Sequence, residues 1–481
     1  MSGPFDIVVV GGGGAGLSAA AEAARLGRRV LVVEKRDRLG GTTALAVGSL
    51  MAACSAIQVK AGITDSPRRH EEELIALNRQ LGLIDNPALR RLLVDNAADT
   101  VNFMVSIGVD FLAPLPQPPF PTDRFHQALP GGRVYVHRLA RHCRRLGVES
   151  RLSARARRLI MEGERVGGVE VETPRGTEGI ATRAVILASG DFSANRALRE
   201  SAMGDDGVLD PINTASTGDG HEMATAIGAS LALRPDLAPA RLAQARFAPP
   251  PRDSILARLP PWRVVTRAMK LAIDVLPARL LRPLLLGAAM TALAPERALY
   301  EEGAVLVNRR GERFADEQGL PAPAIARQPA GEAFLMLDSR IAGKFSQWPH
   351  YVSTAPGVAF AYVGDYRAVR PDIFHEGADA AALARRLGLP ESSLAATIAA
   401  SRLGRGPFVA LGPLEAWLLL THVGLAVNER LAVLRDGRPI PGLYAAGGAG
   451  LGGFSSIYHG HSLGWALTSG RLAGRYAAFE T

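Results

Sequence analysis

The first 34 residues carry the pattern that most restricts the fold of this chain. Residues 5–10 (FDIVVV) form a short β-branched apolar run, which is typical of a buried parallel strand. A glycine-rich turn at 11–16, an alanine-rich helix at 18–26 and a second buried strand at 29–33 follow, and Glu34 comes directly after them. Strand, turn, helix and strand in this order predict an α/β fold built on a parallel sheet.

The turn has the spacing of a dinucleotide-binding loop. Gly11, Gly13 and Gly16 occupy the glycine positions of the G-x-G-x-x-G pattern. In that pattern the first glycine forms a tight turn, the second lets the backbone approach a pyrophosphate, and the third lets the helix pack closely on the strand. Glu34, 23 residues after Gly11, is placed to accept hydrogen bonds from ribose hydroxyls. An acid at this position disfavours a 2′-phosphate but does not distinguish FAD from NAD.

Composition excludes several classes of cofactor and partner. The 481 residues contain two cysteines, Cys54 and Cys143, so a disulfide framework, a zinc ribbon, a cysteine-ligated iron–sulfur cluster and a c-type haem are excluded. No metal site is predicted.

The net charge of +9 fits nucleic acid, an anionic membrane or an acidic ligand, and equally an arginine bias of the genome. Nucleic acid is disfavoured because the basic residues lie among leucines without aromatic platforms.

No targeting or membrane-spanning segment is predicted. The first apolar run meets glycines at once and has no basic region before it. No run of 18 uninterrupted apolar residues occurs. We therefore expect a cytoplasmic protein.

The segment after Glu34 resembles a known family. Residues 39–43 (LGGTT) resemble a turn of the fumarate reductase and succinate dehydrogenase flavoproteins, a family that includes a 3-ketosteroid dehydrogenase branch. In that family a Gly-Gly-Thr-Ser-like turn runs along the FAD pyrophosphate, and Thr42 and Thr43 match its hydroxyl positions. Members that bind FAD covalently carry a histidine in this turn. This chain has none, so the resemblance implies FAD held without a covalent bond.

The same resemblance recurs along the chain, at 185–195, 217–229, 304–317, 442–448 and 462–474. It implies a Rossmann-like FAD-binding domain at 1–232 and 420–481, interrupted by an α+β substrate domain at 299–419. Residues 113–121 are rich in proline and predict a non-helical surface loop. The cofactor-binding residues implied by the motifs are Gly11, Gly13, Gly14, Ala15, Gly16, Glu34, Lys35, Gly41, Thr42, Thr43, Ala188, Ser189, Gly190, Asp219, Gly447, Ser462 and Leu463.

Residues 233–298 lie between the two domains and predict a basic, amphipathic helical insertion. Two interpretations stay open. In the first, the insertion is a monotopic hairpin on an anionic membrane, and the protein is peripheral on the inner face of the cell membrane. In the second, it is a helical pair that packs on the substrate domain or at a dimer interface. Leu280 to Met290 form a second apolar stretch, too short to span a bilayer. The predicted helix has Trp262, Val265, Met269, Ile273 and Leu276 on one face and Arg263, Arg267, Lys270 and Asp274 on the other.

The candidates for catalysis are Tyr458, His422 and His459. Residues 458–464 resemble a stretch of the 3-ketosteroid dehydrogenases in which a tyrosine binds the ketone oxygen, so Tyr458 is the candidate electrophile. His422 lies in a region that faces substrate in fumarate reductases. His459 and His461 flank the start of the last helix, which Ser462 suits as N-cap, and one of the two is expected at the flavin. His126 is a weaker candidate.

Departures from the family pattern shape the substrate prediction. The arginine that donates a proton in fumarate reductases is missing after Glu317, since no basic residue follows before Arg327, and the tyrosine base of the steroid Δ1 enzymes is missing too. Small dicarboxylates are therefore disfavoured. An apolar pocket is expected instead, lined by Leu320, Pro321, Ala322, Pro323 and Ile325.

The resulting functional prediction is an FAD-dependent dehydrogenase or reductase that acts on a carbon–carbon bond next to a ketone in a bulky, steroid-like molecule. A reductase of an unsaturated carboxylic acid and a non-redox hydratase or isomerase of a lipid remain alternatives. Because the chain has no cysteine-ligated cluster or c-type haem of its own, electrons need an external partner, such as a quinone or a redox protein.

Overall fold

The computed structural model of the chain describes residues 5–204, 208–237, 242–249, 259–277, 282, 286, 294–319, 321–355 and 359–481. Two hydrophobic cores organise these residues. The first core joins the N-terminal half to the C-terminal strands and last helix, and the second is built mainly from residues 299–418. The mixed α/β fold predicted from the sequence is confirmed.

The strands and helices are numbered here in chain order. The strands are β1 Phe5–Val10, β2 Val30–Val33, β3 Ser49–Met51, β4 Leu115–Gln117, β5 Phe120–Gln127, β6 Glu149–Arg151, β7 Arg155–Glu162, β8 Arg165–Thr173, β9 Gly176–Leu187, β10 Asp210–Pro211, β11 Leu231–Ala232, β12 Ala243–Phe247, β13 Val305–Val307, β14 Glu332–Leu337, β15 Ser353–Ala355, β16 Ala359–Ala361, β17 Phe374–Gly377, β18 Phe408–Leu418, β19 Gly424–Leu425, β20 Ala432–Arg435 and β21 Arg438–Ala445. The helices are α1 Gly14–Arg25, α2 Gly41–Leu45, α3 Ala56–Lys60, α4 Pro67–Gln80, α5 Pro87–Ser106, α6 Arg133–Arg145, α7 Arg196–Met203, α8 Asp219–Thr225, α9 Arg263–Val275, α10 Arg297–Glu301, α11 Pro321–Ala326, α12 Ser339–Lys344, α13 Val363–Val369, α14 Ala380–Leu387, α15 Glu391–Ala399 and α16 His461–Glu480.

The central sheet of the first core has the strand order β20-β21-β9-β1-β2-β6. β1 pairs in parallel with β2 on one side and with β9 on the other, so the chain reverses its direction of winding beside β1. The Val and Ile side chains of β1 and β2 are buried because helices α1 and α16 pack together against the sheet. Ligands of doubly wound sheets bind beyond the carboxyl ends of the strands at such a point.

The second core surrounds an antiparallel sheet centred on the long strand β18. Strands β12, β14 and β17 pair with β18 antiparallel, and β10 pairs with its end in parallel. Two segments therefore depart from the expected domain division. β10 belongs to this sheet although it lies within the predicted FAD-binding segment, and β12 is a strand although a helical insertion is predicted there. In both cases hydrogen bonding to β18, distant in sequence, determines the local structure.

One further prediction is corrected. The proline-rich segment is a hairpin, β4 with β5, whose Phe120 and Phe125 pack in a small cluster with Met51 and Leu74. Burial of these aromatic rings holds the segment in β-structure.

Helix α9 confirms the helical pattern of residues 262–276 only in part. Met269 and Ile273 line an internal cavity, but Trp262 and Leu276 of the same predicted face are 61% and 44% exposed. The second apolar stretch, 280–290, lies almost entirely outside the described residues. Among the described residues, no helix combines the length and apolar character needed to cross a bilayer.

Candidate active site

A cavity of about 1020 Å³ separates the two cores. It opens beyond the carboxyl ends of β1, β2 and β9, where the winding of the sheet reverses. Its walls come from both cores, which is typical of cofactor and substrate sites. They include parts of 10–15, 33–36, 41–49, 188–191, 212–219, 447–466, 244–246, 269–273 and 294–300.

The three glycines of the turn differ in backbone conformation and in the space around them, and these differences match the three positions of a dinucleotide loop. Gly11 has a φ of +108°, and a Cβ there would lie 2.4 Å from the Ala188 carbonyl oxygen. At Gly16 a Cβ would lie 1.9 Å from the Gly11 carbonyl oxygen, so only glycine allows helix and strand to pack so closely. At Gly13 the nearest atom would be the Gly40 oxygen at 3.8 Å. Gly13 therefore borders open cavity, where backbone can meet a pyrophosphate.

Most polar groups close to the turn form hydrogen bonds with other residues of the chain. The Thr43 hydroxyl accepts a hydrogen bond from the Gly14 N–H at 3.1 Å, and the Thr42 hydroxyl accepts one from Asn213 at 2.9 Å. The Glu34 carboxylate accepts from the Gly12 N–H at 2.7 Å. By contrast, the buried Ser189 hydroxyl has no hydrogen-bond partner among the described residues. That hydroxyl is enclosed beside Gly220, so it is the open space at Gly13 that fits a bound dinucleotide.

Lys35 and Asp219 form a buried ion pair beside this cradle, with 2.9 Å between Nζ and Oδ2. Arg155 also donates to the Asp219 carboxylate, at 2.8 Å. Burial raises the pKa of Asp219, but the hydrogen bonds from Lys35 and Arg155 outweigh that effect and hold it below its ordinary value. Lys35 and Asp219 thus brace the wall where the sequence motifs place the cofactor.

The predicted cofactor residues lie on the cavity wall, with one exception. Gly16 is buried between helix and strand, and its role is packing. Ser462 lies on the wall but is not the helix cap. Gly460 takes that position with a φ of +80°, and the Ser462 hydroxyl instead donates to the Ser456 carbonyl at 2.6 Å.

Tyr458 reaches the cavity from the loop before α16. Its hydroxyl donates to the Asn78 side-chain oxygen at 2.9 Å, and its ring meets Phe120 edge to face. Burial, with the nearby charge of Asp85, raises the pKa of Tyr458 to about 12. The phenol therefore stays protonated at neutral pH, as a hydrogen-bond or proton donor requires.

His422 is buried at the cavity with a φ of +52°, in the left-handed region. Its Nδ1 lies 3.4 Å from the Ser456 hydroxyl. Burial, together with the charge of Arg234, lowers the pKa of His422 to about 3. The imidazole is therefore neutral over the physiological range and is too weakly basic to accept a proton in a reaction at neutral pH.

The remaining histidine candidates differ in whether they line the cavity. His459 lines the cavity, and burial together with Arg246 lowers its pKa. His461 points away from it and lies with its Nε2 3.0 Å from the Nε2 of His70, deep in the protein. His126 is fully buried, bonded to Ser55 and to the Arg124 carbonyl, and is not at the cavity. Its placement corrects the weaker prediction for His126.

The predicted apolar pocket after Glu317 is wrong in most of its members. Pro321 lines the cavity, but Ala322 and Ile325 belong to α11 and are buried in the second core. Leu320 lies outside the described residues. The apolar side chains at the cavity include Met269 and Ile273 of α9, Leu112, and Ile457, which packs against the second core.

Arg246 is the cavity residue that sequence reasoning missed. It lies on β12, and its guanidinium donates to the Gln244 side-chain oxygen at 3.1 and 2.8 Å. Among the described residues no carboxylate lies within ion-pair distance of it, and burial lowers its pKa. An arginine nevertheless remains protonated at neutral pH. A fixed positive charge with a neutral partner thus lines the cavity near His459.

Comparison with known proteins supports this interpretation of the cavity. Residues 6–247 and 277–464 match the family described as the FAD binding domain. An NADH:fumarate oxidoreductase of Klebsiella pneumoniae is 26% identical over 98% of this chain, which spans 48% of that relative's length. A cytochrome-type fumarate reductase of Shewanella frigidimarina is 27% identical over 98% of this chain and 77% of its own. A 4-oxocyclohexanecarboxylate 2-dehydrogenase of Sinomonas cyclohexanicum is 27% identical over 98% and 93%.

Two solved structures share the fold. A flavocytochrome c3 fumarate reductase in its open conformation superposes with a TM-score of 0.74 at 22% identity, covering 100% of this chain and 79% of its own. The 3-ketosteroid Δ1-dehydrogenase of Sterolibacterium denitrificans gives 0.69 at 18% identity, covering 99% and 100%. The predicted cofactor, FAD, and the resemblance to fumarate reductase flavoproteins are confirmed, while covalent attachment stays a matter of prediction. This chain therefore belongs to the FAD binding domain family of flavoproteins, together with relatives named as fumarate reductases.

Proposed function

We propose that this FAD-dependent oxidoreductase acts on a carbon–carbon bond next to a carbonyl, in a substrate that carries a carboxylate on a bulky apolar body. When bound, FAD supplies the two-electron chemistry. The residues of the chain hold the polar end of the substrate, keep water from its apolar part and handle a proton. The observation that carries the proposal is Arg246.

Arg246 supplies the anion-binding group that the motif after Glu317 lacks. Its charge lines the cavity, and its hydrogen bonds go to the neutral amide of Gln244. A partly buried charge without an opposite partner is costly, so the cavity favours a ligand that brings an anion. A guanidinium binds a carboxylate through two parallel hydrogen bonds. Neutral His459, on the same wall, can add a hydrogen bond to that end of the substrate.

Tyr458 is the proposed proton-transfer residue. Its phenol is protonated at neutral pH and lies at the cavity, so it can donate to the carbonyl oxygen or to the carbon that receives a proton. In this structure its single O–H is donated to Asn78, so this hydrogen bond has to break before the phenol can donate to a substrate. Neutral His422 is proposed as a polar wall residue that orients the substrate, since its weak basicity excludes it as the general base at neutral pH.

The names of the relatives favour acids over neutral ketones. The Klebsiella and Shewanella proteins are named for fumarate, and the Sinomonas protein for a ring that bears both an oxo group and a carboxylate. That last combination corresponds to the substrate proposed here. As external electron partner we propose a quinone or a redox protein.

A neutral, steroid-like ketone is the second candidate, and the apolar wall favours it. Met269 and Ile273 of α9, together with Leu112, offer apolar surface beyond what a small dicarboxylate needs. The two candidates differ in whether the ligand must carry a negative charge.

Ligand titrations of the oxidised enzyme test the choice. We expect cinnamate, an apolar 2-enoic acid, to perturb the flavin absorbance spectrum and its methyl ester to bind more weakly. Arg246→Gln should raise the Kd for cinnamate about 10- to 150-fold, which corresponds to a charged hydrogen bond of about 1.5–3 kcal/mol, and Arg246→Lys should restore part of the loss. The ester's Kd should stay nearly unchanged in both variants.

Arg386→Gln, at an exposed arginine of α14, serves as the matched control and should leave both Kd values unchanged. Equal binding of acid and ester by the wild-type enzyme, with no effect of Arg246→Gln, would refute the acid and leave the neutral ketone as the better candidate.

A further inference from the structure

The outer face of α9 presents an apolar row to solvent. Val264, Leu271 and Val275 are 80%, 64% and 69% exposed. Their spacings of seven and four residues place them on one side of the helix. Such a row is unusual on the surface of a soluble monomer and marks a contact with another apolar phase.

Polar contacts hold α9 with this row outward. The buried Thr266 hydroxyl donates to the Asp110 carboxylate, and the Lys270 ammonium donates to the Phe111 carbonyl at 2.8 Å. Met269 and Ile273 fill the inner side and line the cavity. Because both inner positions are occupied, the helix cannot bury the outer row by rotating about its axis.

A basic surface adjoins the apolar row. Arg263 and Arg267 of α9 are exposed. Helix α6 contains no acidic residue and exposes four arginines along its length. These four residues are Arg133, Arg141, Arg144 and Arg145.

Arg138, unlike the other arginines of α6, is buried. Its side chain is 3% exposed, and its Nε and Nη2 atoms have no hydrogen-bond acceptor among the described residues. Burial lowers the pKa of Arg138, Asp110 opposes that effect, and the charges of Arg141 and Arg263 lower it further. The Asp110 carboxylate already accepts from Thr266. The exposed Arg141 and Arg263 are therefore the guanidinium groups that a phosphate can reach.

We propose that α9 and α6 form a docking surface for an anionic lipid bilayer, with lipid phosphates at the exposed Arg141 and Arg263 and the apolar row of α9 among the upper acyl chains. This combination of an apolar face and a basic rim characterises interfacial membrane helices. A second copy of the chain fits less well, since a two-fold contact here would bring two arginine clusters together. The docked protein is peripheral, and α9 does not cross the membrane.

Docking in this way gives α9 a second role, which rests on the proposed function. The helix separates the bilayer from the cavity, with Leu271 on one side and Met269 on the other. An apolar substrate would pass from lipid to the flavin site along this helix without crossing water.

Vesicle sedimentation with the FAD-loaded full chain tests the surface independently of any substrate. We expect binding to vesicles of phosphatidylcholine mixed with phosphatidylglycerol, weakened by salt, and little binding to phosphatidylcholine alone. Arg141→Gln/Arg263→Gln should weaken binding to the anionic vesicles about 25-fold, at about fivefold for each basic residue. Leu271→Ser/Val275→Ser should weaken it about tenfold or more through lost apolar burial.

Matched controls replace exposed residues elsewhere. Arg386→Gln/Arg402→Gln and Val59→Ser/Phe479→Ser should bind the vesicles like the wild-type protein, and all variants should retain their flavin spectrum. Equal binding to neutral and anionic vesicles, or normal binding by both α9 variants, would overturn the proposal. So would a dimer that Leu271→Ser/Val275→Ser converts to monomer, because α9 would then be covered by a second copy. None of these outcomes bears on the ligand titrations of Arg246.

Discussion

Two alanine substitutions in one loop separate cofactor binding from folding. Gly13 has φ −82° and ψ −172°, a conformation open to alanine, and its Cβ would lie 3.8 Å from the Gly40 oxygen. That methyl group would project into the space where the pyrophosphate approaches the backbone. A Cβ at Gly16 would instead lie 1.9 Å from the Gly11 carbonyl oxygen and 3.2 Å from Val9, inside the packed protein.

The expected results are opposite. Gly13→Ala should leave the apoprotein as stable as the wild type, or more stable by about 0.4–1 kcal/mol, because alanine restricts the unfolded chain. It should raise the Kd for FAD about 10- to 150-fold, the equivalent of one lost hydrogen bond to a charged phosphate at about 1.5–3 kcal/mol. Gly16→Ala should lower the free energy of unfolding by about 1–3 kcal/mol or more through overpacking.

Fluorescence titration of the apoprotein with FAD measures the Kd for FAD, and urea unfolding of the apoprotein measures the free energy of unfolding. Normal FAD affinity in Gly13→Ala would refute the placement of the pyrophosphate at this turn. Normal stability in Gly16→Ala would refute the close packing of α1 on β1.

Other predictions concern the cavity residues and the cofactor. Burial lowers the pKa of His422 to about 3. Between pH 6.5 and about 3 the unfolded chain therefore binds a proton at this residue that the folded chain does not bind. The free energy of unfolding should fall by up to about 1.4 kcal/mol per pH unit as the pH falls through this range. His422→Asn, which tolerates the positive φ, should reduce the pH dependence of urea unfolding in that range, and an unchanged slope would contradict the neutral imidazole. Tyr458→Phe should lower kcat about 10²-fold with an intact flavin spectrum if the phenol transfers a proton, whereas near-normal turnover would remove it from the mechanism. Acid precipitation should release the flavin into the supernatant, and colour retained in the pellet would show a covalent bond.

The parts of the site that local sequence determines could be predicted. The glycine turn, Glu34 and the threonines at 42 and 43 lie within one βαβ unit, where spacing fixes geometry. Lys35 and Asp219 come from distant motifs, and the structure places them 2.9 Å apart. These residues line one wall because each motif encodes its own backbone shape and the parallel sheet brings the motifs together.

Arg246 could not be predicted in the same way. Its strand, β12, has five residues and exists through pairing with β18, whose residues lie about 170 positions later. The alternation of Gln244 and Arg246 with apolar neighbours is the only local signal, and it is too short to distinguish a strand from a loop. Sequence reasoning therefore looked for the cation near the family motif, whereas the fold supplies one from another strand.

Packing decided the other errors. His461 lies two residues from His459, and His126 follows the proline-rich segment, but both are buried against other side chains, and only the fold of β5 and α16 shows this. The prolines at 114–121 were expected in a loop, yet Phe120 and Phe125 find partners that make a hairpin. In each case contacts distant in sequence outweigh the local preference.

We propose that this cavity brings a bound flavin and an apolar acid together for two-electron chemistry. To test this, the holoenzyme is reduced with dithionite under anaerobic conditions, excess reductant is removed, and cinnamate is added while the flavin absorbance is recorded. We expect return of the oxidised flavin spectrum with one saturated acid formed for each flavin, and a slower return in Arg246→Gln at the same cinnamate concentration. Flavin that stays reduced with cinnamate and with a panel of other unsaturated acids and enones, or product formed without any change in the flavin, would contradict the proposal.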